Sequence, residues 1–251
     1  MRVSISVVTY NNEEHIGNLL DSIRQYVKLE DYQIFIVDNG SHDQTLDIIR
    51  KNGDIVKLIE NGSNVGFGAG HNKVLSLIES QYHVIINPDI ILKTDTISEM
   101  AAYLDNNPDI ALISPQILYP EGGVQVLPKR DPKLIYVLAR RSNIGMLAKY
   151  KEQYEMKEAG TDSAYDIEFA SGCFMFTRTD VLKKVGGFDE RFFLYLEDAD
   201  LSRRIRQHGR VQYNPAFVVY HHWQQAGAKK LKFLLIHIAS MFKYLKKWRN
   251  K

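Results

Sequence analysis

The sequence predicts an α/β domain on a mostly parallel, Rossmann-like sheet, with helices on both faces and an amphipathic helix at the C-terminal end. Three observations lead there. Short apolar runs alternate with stretches of helical spacing through the first half. Polar clusters follow three of those runs, at Thr9-Tyr10-Asn11, Asp38-Asn39 and Asn87-Pro88-Asp89, where a parallel sheet presents its ligand-binding rim. With 251 residues and 45% hydrophobic composition, the chain can bury one full core.

Residues 3–9 form a short apolar strand, and Ile16, Leu19, Leu20, Ile23 and Val27 give 13–27 the spacing of a helix. Residues 33–37 read as the next strand, ended by Asp38-Asn39-Gly40-Ser41. A helix over 45–51, a strand over 56–59, a helix over 70–79 and a strand over 83–86 follow. Residues 94–104 are helical and 110–114 make a fifth strand. The stretch 119–165, rich in Pro, Gly and charge, reads as a mobile insertion over the site, with mixed helix over 136–158. Residues 217–220 are strand-like. In the last segment, Leu231, Leu234, Leu235, Ile238, Met241, Phe242, Leu245 and Trp248 mark a helical stripe.

Charge is divided along the chain. No acid follows Asp200, yet twelve of the 32 Lys and Arg do, leaving 20 basic against 30 acidic residues in 1–200. Such a split points to an anionic surface meeting the C-terminal end. Lys230, Lys232, Lys243, Lys246, Lys247 and Arg249 flank the stripe, so the helix suits a membrane interface, or equally a docking or homodimer contact. Cys173 is the only cysteine, which excludes an intrachain disulfide and fits a reducing compartment. The opening residues lack the form of a signal peptide, and no run approaches the roughly 18–20 apolar residues of a membrane span. The expectation is a cytoplasmic protein, peripheral at the inner face of the cell membrane, with no nucleic-acid partner.

The chemistry concentrates in residues 188–204. Glu197, Asp198 and Asp200 follow the aromatics Phe188, Phe192, Phe193 and Tyr195. A carboxylate held against aromatic rings is partly desolvated, and its proton affinity rises toward what a general base needs. A helix starting near Leu196 puts Glu197 and Asp198 in its first turn and Asp200 and Arg204 at i,i+4. The same pattern also describes a capped, salt-bridged surface helix. Asp38 and Asn39 can read the edge of a nucleobase or simply build an Asx turn. Gly66, Gly68 and Gly70 allow backbone to approach a phosphate at a helix start, though the loop is no P-loop and flexible loops look alike. Asp89 suits a hard cation that bridges phosphate oxygens, such as Mg²⁺ or Mn²⁺, or a plain strand-ending turn. His221 and His222 could add a nitrogen ligand or be structural.

The blocks VSISVVTYNNEEHIGNLLDSI, IFIVDNGSHDQT, ENGSNVGFGAGHN, IINPDI and SGCFMFTRTDVLKKVGGFDERFFLYLEDADLSRRIRQHG resemble, in order, the motifs of family 2 inverting glycosyltransferases with the GT-A fold. The bacterial rhamnosyltransferase-like subgroup is the most similar. The resemblance implies a GT-A domain over 1–228, with a nucleotide-sugar half to about 115 and an acceptor half to about 228, then the helix of 229–251. It implies that Thr9 and Asn11 line the nucleotide pocket and Asp38 binds the base beside Asn39. Asn64, Gly66 and Phe67 would shape the ribose and sugar side. Asp89 would be the last acid of the metal-binding DXD motif, with Asn87 where a strict motif has Asp. Asp198 would be the base of the Glu197–Asp198 pair, with Gly172, Phe188 and Asp189 on the acceptor side and Arg204 near the leaving diphosphate. The expected donor is dTDP-rhamnose, with a UDP-hexose as alternative; the expected acceptor is a polyprenyl-diphosphate-linked glycan. Absence of the QxxRW motif and of spans points to addition of one or a few sugars. A sugar-nucleotidyltransferase would carry a basic Gly-rich loop where this chain has Asn11-Asn12-Glu13-Glu14. Against a non-catalytic binding subunit stands the presence of Asp89 and Asp198 together.

Overall fold

A computed structural model describes residues 1–125, 128–141, 145–222 and 231–249. Strand β1 (Val3–Thr9) is buried along its whole length. It runs between β2 (Tyr32–Asp38) and β4 (Tyr82–Ile86), parallel to both, and β3 (Val56–Glu60) continues the sheet parallel to β2. Near-continuous apolar runs are what strands covered on both faces require. Beyond β4 lies β9 (Phe174–Arg178), antiparallel to β4 and to β6 (Ile110–Leu118). Strand β10 (Arg210–His221) pairs parallel with β6, and β5 (Ile90–Ile91) closes that edge antiparallel to β10. The order is β3-β2-β1-β4-β9-β6-β10-β5; β7 (Val124–Gln125) adds to β6 and β8 (Tyr165–Asp166) to β10.

Alternation along β1 separates two cores. Val3, Ile5 and Val7 pack with Ile16, Leu20 and Ile23 of α1 (Ile16–Tyr26) and with Met100 and Leu104 of α4 (Thr96–Asn106). On the other face, Val8, Phe35 and Val37 share a cluster with Val181 and Leu182 of α7 (Thr179–Lys184) and Leu201 and Ile205 of α8 (Glu197–Ile205). Helix α2 (Thr45–Lys51) matches its predicted range. The remaining helices are α3 (Phe67–Asn72), α5 (Leu134–Arg141), α6 (Ala148–Tyr154) and α9 (Leu231–Trp248).

Three expectations need correction. The helix expected over 70–79 instead begins at Phe67 and stops at Asn72. There the Asn72 side chain turns to the backbone of Phe188, donating to its carbonyl and accepting from its N–H, both at 2.8 Å. The strand at 174–178, which breaks the parallel run, was not anticipated. Described parts of the stretch 119–165 are anchored to the rest: Arg206 donates twice to Asp131, at 2.7 and 2.6 Å, and Lys129 and Phe169 exchange backbone hydrogen bonds.

Ser4 and Ser6 face the second core and would be costly there unpaired. They are satisfied by a buried chain. Ser80 donates to the Tyr82 carbonyl at 2.7 Å, so Ser4 must donate to Ser80 and accept from Nδ1–H of His83. Nε2 of His83 then accepts from Ser6, which accepts in turn from Nδ1–H of His71. Deep burial keeps both imidazoles neutral, which is what lets Nε2 of His83 accept. Burial holds His71 well below the ordinary histidine range, helped by neighbouring His83, and lowers His83 to about 3. In the unfolded chain both protonate below about 6.5, so the unfolded state binds more protons as pH falls. Their contribution is complete above about pH 6.5 and drains away toward 3. Glu197 and Asp198, buried acids raised above the ordinary carboxylate range, titrate with the opposite sign, so the test uses a Glu197→Gln, Asp198→Asn background. There the thermal midpoint is expected to fall between pH 7 and 5; a flat midpoint across that window would contradict this reading.

Candidate active site

The acid pair is set by unusual backbone. Tyr195 and Leu196 both lie in the left-handed region, at φ 70° and 66°, immediately before α8. Such residues cost about 1–3 kcal/mol each and persist where their surroundings impose them. The turn delivers Glu197 and Asp198 to the first helical turn, where the dipole favours negative charge. Oδ2 of Asp198 accepts the Gly172 N–H at 3.0 Å, and Oδ1 accepts the Ala199 N–H at 2.9 Å. Glycine eases that approach, because a Cβ on Gly172 would crowd the Phe67 ring at 3.1 Å and Asp198 Cβ at 3.3 Å.

The two carboxylates are not equivalent. Glu197 is 4% exposed, and its Oε2 has no hydrogen-bond partner among the described residues. Burial, then the charge of Asp198, pushes it well above the ordinary carboxylate range. Asp198 is also raised by burial, but the Gly172 N–H, Lys129 and the Ala199 N–H pull it back. Neighbouring acids in one dry site share one charge. Asp198 therefore carries it, and Glu197 keeps its proton.

Asp198 opens on a cavity of about 610 Å³, also lined by Phe67, Asn87, Asp89, Lys129, Tyr195 and His221. On another wall, Nε2 of His221 lies 3.2 Å from Oδ1 of Asp89. Both atoms are buried, and neither makes a hydrogen bond of acceptable geometry. Gln125 fixes the tautomer. Its Nε2 donates to the His221 carbonyl at 2.8 Å, so its Oε1, 3.0 Å away, must accept from Nδ1–H of His221. In the neutral ring the Nε2 lone pair faces a carboxylate oxygen, an arrangement that fits a cation. Among the described residues no group of three or more such side chains could hold one. A hard cation here would complete its shell with substrate oxygens and water.

The structure distributes the other expected residues unevenly. Phe67, Asn87 and Gly172 line the cavity, as do Glu197, Asp198, Asp89 and His221. Thr9, Asp38 and Asn39 are buried in the rim. Asp38 accepts from Thr9 and Ser41 hydroxyls at 3.0 and 2.5 Å and from the Gly40 and Ser41 N–H groups. Its carboxylate is saturated by its own turn and presents no open edge for a base. Asn11, also left-handed, accepts the His42 N–H at 2.8 Å and ties the same loop. Asn39 donates to the Gly66 carbonyl, and Asn64 accepts the Gly66 N–H at 3.0 Å. Gly66 sits at φ 94°, where a Cβ would fall 2.4 Å from the Phe193 carbonyl oxygen.

Four placements differ from expectation. Arg204 is held by Asp200 at 2.8 Å and donates to the carbonyls of Val185 and Gly187, away from the cavity. Phe188 is buried against Phe67 and His71. Asp189 pairs with Arg191 and Lys247, and those hydrogen bonds hold it well below the ordinary carboxylate range. His222 stacks on His15 and donates its backbone N–H to the Asp89 carbonyl, because the residue after His221 turns to the other side. Sequence reasoning missed Lys129, the cation that does line the cavity, and also Gln125, Tyr119 and Tyr154. All four lie in the stretch read as an insertion, where no motif marks them.

A buried acid pair and an Asp–His pair face one cavity at the end of the sheet, an arrangement suited to group transfer. The family model described as Glycosyl transferase family 2 matches residues 4–186, and the chain belongs to that family. It is similar, at 26% identity over 96% of its length, to the N-acetylglucosaminyl-diphospho-decaprenol L-rhamnosyltransferase of Mycobacterium tuberculosis, of which it covers 83%. Rhamnosyltransferase WbbL of Escherichia coli K12 is also 26% identical, over 98% of this chain and 94% of that one. Among solved structures, mannosyltransferase PcManGT from Pyrobaculum calidifontis, in complex with GDP-Man and Mn²⁺, superposes with a TM-score of 0.66. It is 20% identical, with 96% of this chain and 64% of that one covered. Staphylococcus aureus TarS 1–349 gives 0.63 at 21% identity, covering 88% and 60%. The chain spans under two thirds of those two solved chains, and the likeness shows the shared GT-A fold.

Asp198→Asn keeps shape and hydrogen bonding but removes basicity. Transfer is expected to fall roughly 10²–10⁴-fold, with nucleotide binding largely intact, in paired turnover and titration measurements. Near-normal turnover would place the base elsewhere.

Proposed function

We propose that this glycosyltransferase moves a rhamnosyl unit from dTDP-rhamnose to a hydroxyl of a polyprenyl-diphosphate-linked glycan, by one inverting displacement. The observation that carries the mechanism is the asymmetric acid pair, one carboxylate charged and one protonated, opening on the cavity that also holds Asp89 and His221. The names of the relatives similar over nearly the whole chain support the sugar and the acceptor class.

Asp198 takes the proton from the acceptor hydroxyl as that oxygen attacks the anomeric carbon. The Gly172 and Ala199 N–H groups keep its two oxygens oriented, and neutral Glu197 avoids a second charge beside it. The diphosphate leaves from the opposite face of the sugar, and Lys129 offers positive charge in the cavity. Asp89 and His221 would hold Mg²⁺ or Mn²⁺, which supplies charge neutralisation for the leaving group. A single displacement inverts the anomeric centre without a covalent enzyme intermediate.

The exposed edge of α9 supports a peripheral position on anionic lipid. Among the described residues no helix is long and apolar enough to cross a membrane. Leu235, Ile238 and Phe242 are nonetheless 58%, 42% and 70% exposed, with Lys232, Lys246 and Arg249 exposed beside them. An apolar ridge with basic flanks lies in an interface, and each basic residue adds about 1 kcal/mol near an anionic surface.

Nucleoside-diphosphate release from dTDP-rhamnose, UDP-glucose, UDP-galactose and UDP-GlcNAc, with and without excess chelator, tests the chemistry. dTDP-rhamnose is expected to turn over fastest, and chelator to suppress release. A preferred UDP-hexose would replace the donor, and full activity in chelator would leave Lys129 alone to meet the leaving group. For the membrane, salt-reversible binding to anionic vesicles, weakened by Phe242→Ser, is expected. Vesicle binding that ignores Phe242→Ser, in a variant converted from dimer to monomer, would make the ridge an oligomer contact.

A further inference from the structure

Helix α9 is not a detachable tail. Met241, Tyr244 and Trp248 are buried in one cluster with Phe192, Leu196 and Ala199 of the catalytic segment. Ser240 donates to the Leu194 carbonyl at 2.8 Å, and Lys243 donates to the Arg191 carbonyl at 2.5 Å. At its end, Trp248 Nε1 donates to Oδ1 of fully buried Asp200 at 2.9 Å, and Lys247 lies 2.6 Å from the same oxygen. The helix therefore grips both sides of the left-handed turn at Tyr195 and Leu196 that delivers the acid pair.

One residue of this helix goes further. His237 lines the same cavity as Asp198, on the same wall as Leu194, Tyr195 and Leu196. Its ring stands 5.0 Å from that of Tyr195, tilted by 30°. The two rings together give the cavity wall beside Asp198 an aromatic, amphipathic stretch. Such a surface suits the C–H face of a pyranose. The donor side is set by Asp89 and His221, so an aromatic stretch carried by the segment that holds the base falls to the sugar whose hydroxyl is deprotonated.

We propose that His237, with Tyr195, forms a recognition subsite for the sugar ring of the acceptor, so that the C-terminal helix supplies acceptor specificity. This rests on the glycosyltransferase reading. The test uses the full chain, with dTDP-rhamnose as donor and a short-chain N-acetylglucosaminyl-diphospho-lipid as acceptor probe. Three quantities are read: the acceptor KM, acceptor-independent donor hydrolysis and the thermal midpoint. His237→Ala is expected to raise the acceptor KM about tenfold, the loss of roughly 1.4 kcal/mol of binding, while donor hydrolysis and midpoint stay at wild-type values. His237→Phe, which keeps a ring face, is expected to restore most of the lost affinity. An unchanged acceptor KM in His237→Ala overturns the subsite. A parallel loss of donor hydrolysis or of stability also overturns it, by giving His237 a donor-side or structural role. Donor hydrolysis by the wild-type protein reports separately on the glycosyltransferase reading.

Discussion

Burying Glu197 beside Asp198 at a helix N-terminus forces the two carboxylates to share a single negative charge, and much of the surrounding structure answers that requirement. Water is kept from Glu197 by the aromatic cluster under α9. The charge on Asp198 is steadied by the Gly172 and Ala199 N–H groups and by the dipole of α8. The strained turn at Tyr195 and Leu196 aims the pair, and the hydrogen bonds from α9 to residues 191 and 194 hold it. Desolvation raises the proton affinity of Asp198, which suits the base role proposed for it.

The segment 66–72 and the segment 188–193 are joined by direct hydrogen bonds. The Phe67 N–H donates to the Phe193 carbonyl, and Asn72 clasps Phe188. Strand β9 lies antiparallel between β4, which leads to Asp89, and β6. These contacts fix the wall carrying Asp198 relative to the wall carrying Asp89 and His221, which matters because an in-line displacement tolerates little misplacement. Gly66 is one point where this junction admits no side chain.

The parallel half was legible because its strands are continuous apolar runs and its helices carry a clean 3.6 period. The helices expected over 13–27 and 94–104 are Ile16–Tyr26 and Thr96–Asn106, and the strand expected over 110–114 runs to Leu118. The largest departure is α3, which stops at Asn72 because that side chain is diverted by a tertiary contact no local pattern reveals. Strand β9 escaped because Phe174–Arg178 belongs to a motif block, and its reversed direction is a property of the assembled sheet. At the site, the acid pair and Asp89 were readable as acids after strands or aromatics. Asp38 and Arg204 were misjudged for a common reason: charge and position do not show that a side chain is already saturated by its own loop or helix. Lys129 and His237 reach the cavity only through tertiary packing. The stripe on α9 was seen, but its division into a buried edge through Met241, Tyr244 and Trp248 and an exposed edge through Leu235, Ile238 and Phe242 depends on what it packs against.

The pH dependence of kcat/KM, compared between the wild type and Glu197→Gln, tests the shared-charge pair most directly. Glutamine imitates the protonated acid, so the account predicts that this variant turns over. It also predicts one acidic limb above the ordinary carboxylate range in both proteins, marking protonation of Asp198. Loss of turnover in Glu197→Gln, or a profile flat through that range in the wild type, would contradict the assignment of charge to Asp198 and proton to Glu197.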